Sequence, residues 1–115
     1  MSAQLPGTIY NWYAVPNVIF STLEEGKITS HLVNDKAVAL LRKGGSVYAF
    51  AATCPHAGAQ LCEGWMDAKG HIVCPLHKYR FDPANGRNTS GEGYKLKTYP
   101  AELRNDEIFV GLLPN

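Results

Sequence analysis

Two short runs carry residues able to bind a metal: Cys54-Pro55-His56 and, after 17 intervening residues, Cys74-Pro75-Leu76-His77. Each run offers one thiolate sulfur and one imidazole nitrogen within a tight turn. The chain holds only three cysteines and four histidines, so two of each in one region make a constellation rather than an accident. Two chemistries use such a set. A mononuclear Zn²⁺ takes two cysteines and two histidines in a closed, tetrahedral structural site. A [2Fe–2S] cluster takes them with the histidines replacing two thiolates on one iron. Zinc fingers pair like with like, two cysteines on one turn and two histidines on another. Here each loop is mixed, which suits two loops approaching a binuclear centre from opposite sides. The spacing therefore favours iron–sulfur, with zinc as the alternative.

The elements that must position these loops read as strands. Ile9 to Val15, Val18 to Ser21, Lys27 to Val33, Ala37 to Arg42, Ser46 to Ala51, His71 to Val73, Leu96 to Leu103 and Glu107 to Gly111 are β-branched, aromatic or alternating. Asn34-Asp35, Lys43-Gly44-Gly45 and Asn105-Asp106 are hairpin turns by composition, and Glu24-Glu25-Gly26 is a looser one. Val38 and Leu40, with the alternation through Val47, Ala49 and Ala51, predict one packed and one wet face. No window sustains a helical stripe beyond one turn. The sequence thus predicts an all-β fold, an antiparallel sandwich or barrel-like base. From Ala52 to about Asn85 the strand rhythm gives way to Gly, Pro, Cys and His, a loop length that signals function in a small domain. Met66-Asp67-Ala68-Lys69-Gly70 reads as the hairpin between the two metal loops.

Composition narrows the partners. At 115 residues the chain predicts one domain, able to bury about two-thirds of its extended surface. Eleven basic against ten acidic residues leave a net charge of +1, too little for a nucleic-acid or anionic-membrane binder. No apolar run reaches membrane-spanning length, and the opening Met1-Ser2-Ala3-Gln4-Leu5-Pro6 lacks the pattern of a signal peptide. With an odd cysteine count a disulfide framework is not predicted; the expectation is a cytoplasmic protein.

The run Cys54-x-His56-x17-Cys74-x2-His77, followed by Arg80-Phe81-Asp82, resembles the Rieske iron–sulfur family, and within it the small soluble ferredoxins. The likeness extends over nearly the whole chain: Val18 to Gly26, Ala37 to Arg42, Gly45 to Ala49, Thr98-Tyr99-Pro100 and Glu107 to Val110 run in the family's order. The resemblance implies a single domain over residues 1–115, with a cluster-binding subdomain inserted in the antiparallel base at about residues 53–83. It implies one [2Fe–2S] cluster held by Cys54, His56, Cys74 and His77. It further implies single-electron transfer from a flavin reductase to a terminal oxygenase, or service as the small subunit of a nitrite reductase beside its large subunit. A zinc-stabilised interaction module is the reading from a different class.

Two Fe³⁺, two S²⁻ and two thiolates sum to zero charge, so an electron is added at less cost than to an all-cysteine cluster. The mixed-ligand range spans about −150 to +300 mV. High-potential members of the family have an extra bridging cysteine in each loop, where this chain has Pro75 and Leu76 between its second pair of ligands. They also have a serine and a tyrosine at the positions of Tyr79 and Phe81, donating to cluster sulfurs. Phe81 has no donor and Tyr79 is too long, so the expectation is the low-potential class. All ligands come from protein, leaving no open site for catalysis. Pro55, Gln60, Leu76, Lys78 and Tyr79 are expected around the electron exit. Lys78 stands where the family has glycine, and reads either as a cation that favours reduction and selects an acidic partner or as a solvated loop residue. Tyr94 is a candidate cover for the centre and Cys62 a small buried hydrophobe. His31 and His71 read as structural, Tyr10, Trp12 and Tyr13 as base packing, and Arg80 and Asp82 as a pair or a brace for the loop.

Overall fold

The computed structural model describes residues 9–55, 58–76, 78–91 and 93–114. Among the described residues ten strands form three antiparallel sheets. The first joins β1 (Asn11–Ile19), β10 (Glu107–Leu112) and β9 (Ala101–Arg104), in that order. The second joins β2 (Ile28–Val33), β3 (Lys36–Lys43), β4 (Ser46–Ala51) and β8 (Thr98–Tyr99). The third, small sheet joins β5 (Trp65–Met66), β6 (Ile72–Val73) and β7 (Arg80–Phe81), and lies in the excursion between β4 and β8.

The tight turns follow from side chains that tolerate the left-handed region. Asn34 and Asp35 have φ of 49° and 64°, and Asn105 and Asp106 have 50° and 71°. Two consecutive positive φ values give the turn whose twist matches the strands it joins, and Asn and Asp accept that conformation at low cost. The β3–β4 hairpin instead uses a single positive φ, 64° at Gly44, the first of its two turn residues.

Three expectations are corrected. The segments Ile9 to Val15 and Val18 to Ser21 are one strand with an irregularity: the β1–β10 register shifts between Ala14 and Ile19. Pro16 has no amide to give the ladder and Asn17 turns to φ 63°, after which Phe20–Thr22 close into a 3₁₀ turn. Conversely, Leu96 to Leu103 is divided at Pro100. Thr98–Tyr99 pair with β4, whereas Ala101–Arg104 pair with β10. Pro100, lacking an N–H, is where the chain changes sheets, and its carbonyl accepts the Gly111 amide at 2.9 Å.

The third correction concerns the middle sheet, which has no wet face at its centre. Val38, Ala39, Leu40 and Leu41 are all fully buried. Val38, Leu40 and Ala49 pack with Val15, Ile108, Val110 and Leu112 against the first sheet. Ala39, Leu41 and Phe50 point the other way and pack with Leu61, Ile72, Phe81, Leu96 and both Cys54 and Cys74. An uninterrupted apolar run is the mark of a strand covered on both faces. The consequence is functional: the two cysteines belong to a core that is continuous with the base sheet, which fixes the loops carrying them.

Candidate metal centre

The first loop leaves β4 and folds back on itself. Leu61 donates its amide to Ala52 at 2.9 Å, Thr53 bridges Gln60, and the Cys54 amide donates to the Ala59 carbonyl at 2.8 Å. Gly58, at φ 70°, makes the reversal and returns its amide to the Cys54 carbonyl at 3.0 Å. The second loop leaves β6 and is built to the same plan. The Cys74 amide donates to the Tyr79 carbonyl at 2.8 Å, and Lys78 takes φ 57°. In both loops proline follows cysteine, the left-handed residue stands four places after it, and the cysteine amide closes onto the fifth. Two loops of one design thus present two cysteines to a common point.

The cysteines meet there. Cys54 is 2% exposed and Cys74 is fully buried, and their side chains share a hydrogen bond. Burial pushes the Cys74 thiol up to about 11, the Cys54 thiol adds to the rise, and the Leu76 amide donating to the Cys74 sulfur opposes it. Two buried thiols in contact, with Ile72, Phe81, Leu61 and Phe50 behind them, fit one side of a metal centre that displaces both protons on binding. His56 and His77 lie outside the described residues; the sequence puts them two residues after Cys54 and three after Cys74. Among the described residues no three Cys, His, Asp or Glu side chains gather as a metal site.

The surrounding residues fall into place unevenly. Pro55, Gln60, Leu76 and Lys78 are exposed on the two loops, and Tyr79 is half-buried. The Tyr94 ring rests on that of Tyr79, centroids 5.8 Å apart, so its described ring contact is with Tyr79. His71 reaches Thr89, its Nδ1 3.2 Å from the hydroxyl, and His31 lies 2.8 Å from the Thr29 hydroxyl on β2, its pKa lowered by burial. Trp12, Tyr10 and Tyr13 sit on the base, where Arg104 lies over the rings of Trp12 and Phe109.

Two site expectations change. Cys62 is exposed rather than buried, because the 3₁₀ turn Leu61–Glu63 sends Leu61 into the core and rotates the next residue out. Arg80 pairs with Asp67, 3.6 Å away, not with Asp82; Asp82 instead accepts the Ala84 amide at 2.9 Å and organises its own turn. Burial tends to raise the Asp67 carboxyl. The amides of His71 and Lys69 and the charges of His71 and Arg80 hold it lower on balance. Sequence reasoning missed Gly64, where an added Cβ would collide with the Val73 carbonyl and meet Pro75 at 3.2 Å. Glycine there lets the 3₁₀ turn lie against the strand delivering Cys74. Aligning the two Cys-Pro runs is the signal that would have exposed the shared loop design.

Lys78 sits in the conformation that its twin gives to glycine, a strain of about 1 kcal/mol. Lys78→Gly is therefore expected to raise the thermal midpoint by about 4 °C. Thermal unfolding of the cluster-loaded protein checks this. A lowered midpoint would show that contacts of the lysine outweigh the strain.

Comparison with known proteins agrees with this architecture. The ferredoxin component of the naphthalene 1,2-dioxygenase/salicylate 5-hydroxylase systems of Ralstonia sp is 31% identical over 101 residues, covering 87% of this chain and 94% of that protein. Among solved structures, the ferredoxin of carbazole 1,9a-dioxygenase from Nocardioides aromaticivorans IC177 superposes with a TM-score of 0.79 at 32% identity, over 90% of this chain and 99% of its own. A Mycobacterium tuberculosis protein described as an NADH-dependent nitrite reductase small subunit gives 0.81 at 25% identity, over 93% and 99%. The family model for the Rieske [2Fe-2S] domain matches residues 11–100. This selects iron–sulfur over zinc: the chain belongs to the Rieske [2Fe-2S] domain family and its cofactor is one [2Fe–2S] cluster.

Proposed function

We propose that this chain is a Rieske-type ferredoxin carrying single electrons from a flavin reductase to a terminal oxygenase in the cytoplasm. In this reading residues 1–115 form one domain with the cluster-binding insert at about residues 53–83. Cys54 and Cys74 hold one iron, and His56 and His77 the other. The observation that carries the reading is the pair of like-built loops bringing two buried thiols into contact.

The bound cluster supplies a one-electron couple. The chain's residues set its surroundings. Cys54 and Cys74 give up their protons as they bind. Leu61, Ile72 and Phe81 keep water from the thiolate side, and the Leu76 amide donates to the Cys74 sulfur. Phe81 faces the same core with no group to donate, which supports a potential in the lower part of the family's range. Four protein ligands leave no coordination site for a substrate, in keeping with a carrier.

The likeness to the nitrite reductase small subunit supports a second reading, in which the same centre serves a nitrite reductase large subunit. Purified protein reconstituted with NADH and a flavin reductase is the test. Turnover with an aromatic-ring dioxygenase supports the first reading, and turnover only with a nitrite reductase large subunit supports the second. A sample that does not bleach reversibly with dithionite overturns both.

A further inference from the structure

The small sheet has two unlike faces. Met66, Ile72 and Phe81 face the core, while the cross-strand row Trp65, Val73, Arg80 lies on the opposite face, with Trp65 and Arg80 exposed on either side of buried Val73. Above that row lies an open groove of about 400 Å³, bounded by the 67–71 turn and the second cysteine loop. Its walls carry Lys69, Lys78 and Arg80 against one carboxylate, Asp67. Asp67 is already engaged, by the amides of Lys69 and His71 at 2.9 Å and by Arg80. Among the described residues no carboxylate pairs with Lys69 or Lys78. In a chain of net charge +1, this is a local excess of positive charge, floored by an aromatic ring that is 43% exposed.

Lys78 gives the groove a direction. It keeps φ 57° where the twin loop has Gly58 at φ 70°, so the fold alone does not call for its side chain. That side chain leans to the groove, its ammonium 6.0 Å from the Trp65 ring centroid. Backbone strain held beside a functional centre points to a role for the residue that bears it. Lys78 also directly follows His77.

Resting on the ferredoxin reading, we propose that this groove docks an acidic segment of the redox-partner protein. Lys69 and Lys78 take its carboxylates and Trp65 takes a flanking apolar side chain. Lys78 thereby positions the partner beside the loop that carries His77. Complementary charge of this kind speeds encounter and fixes register.

The test uses cluster-loaded protein reduced with dithionite and freed of excess reductant. Hexacyanoferrate(III) takes one electron and becomes hexacyanoferrate(II) as the protein returns to its oxidised form; tris(phenanthroline)cobalt(III) is the cationic counterpart. The wild-type rate with the anion is expected to fall about tenfold from low to high ionic strength, while that with the cation does not fall. A deca-glutamate peptide slows the anion reaction at low salt and deca-lysine does not. Lys78→Gly, which removes the cation and the strain together, and Lys69→Glu, on the turn, each weaken both effects. Equal salt dependence for the two complexes, inhibition by deca-lysine, or variants that behave as wild type would overturn the proposal. Protein that transfers electrons to both complexes without discrimination refutes the docking groove alone. Protein that cannot be reduced refutes the ferredoxin reading beneath it.

Discussion

Cys74→Ser protein is expected to come out of expression colourless, with iron and sulfide below about a tenth of the wild-type content. The reasoning starts from burial. The Cys74 side chain is fully enclosed and touches Cys54, so no other thiol can swing in to replace it. Cys62, the third cysteine, is exposed on the outer side of its 3₁₀ turn. A hydroxyl is a poor ligand for a cluster that selects soft sulfur. The buried serine also costs about 1–3 kcal/mol if its hydroxyl finds no partner, and the apoprotein loses the folding free energy that the cluster contributes. Cys62→Ser is the internal control and keeps colour and midpoint. Metal and sulfide analysis of the two variants side by side checks the ligand choice. Loss of the cluster in Cys62→Ser with retention in Cys74→Ser would reverse the assignment.

The second large effect is on potential. With His56 as an iron ligand, as proposed, exchanging its neutral imidazole for a thiolate would add a negative charge to the centre. His56→Cys is expected to lower the midpoint potential by on the order of 100 mV. Adding His77→Cys should extend the drop to roughly 250 mV, the gap between the low end of the mixed-ligand range and the all-cysteine ferredoxins. At about 59 mV per tenfold for one electron, the double change alters the reduction equilibrium by about four orders of magnitude. Protein-film voltammetry reads the shift directly. His31→Cys and His71→Cys should leave the potential near the wild-type value, since His31 meets Thr29 and His71 meets Thr89. An unmoved potential in a cluster-loaded His56→Cys protein would remove His56 from the ligand set.

Much of this architecture is readable in the chain because it rests on local chemistry. Asn34-Asp35 and Asn105-Asp106 announce their hairpins because few side chains other than Asn and Asp accept two successive positive φ values. The Cys-Pro runs single out a candidate site because soft donors are scarce elsewhere. What escaped notice depends on long-range packing. Pro100 reads as an interruption in one strand, yet it divides two strands belonging to different sheets. The apolar run of β3 looks one-sided until Leu61, Ile72, Phe81 and Leu96 cover its second face. Trp65–Met66 and Arg80–Phe81 are only two residues long, too short for any periodicity. Cys62 illustrates the same limit: hydropathy favours burial, but the turn at Leu61 decides which neighbour faces inward. Arg80 likewise chose Asp67 across the sheet over Asp82 next to it in sequence.

The most direct measurement is pulsed electron paramagnetic resonance on the dithionite-reduced protein, made with natural-abundance and with ¹⁵N-labelled histidine. The account predicts two strongly coupled histidine nitrogens per reduced centre, both changing with the isotope, and one of them missing in His56→Cys. A reduced iron–sulfur signal without histidine coupling, or purified protein holding stoichiometric zinc and no sulfide, would contradict it.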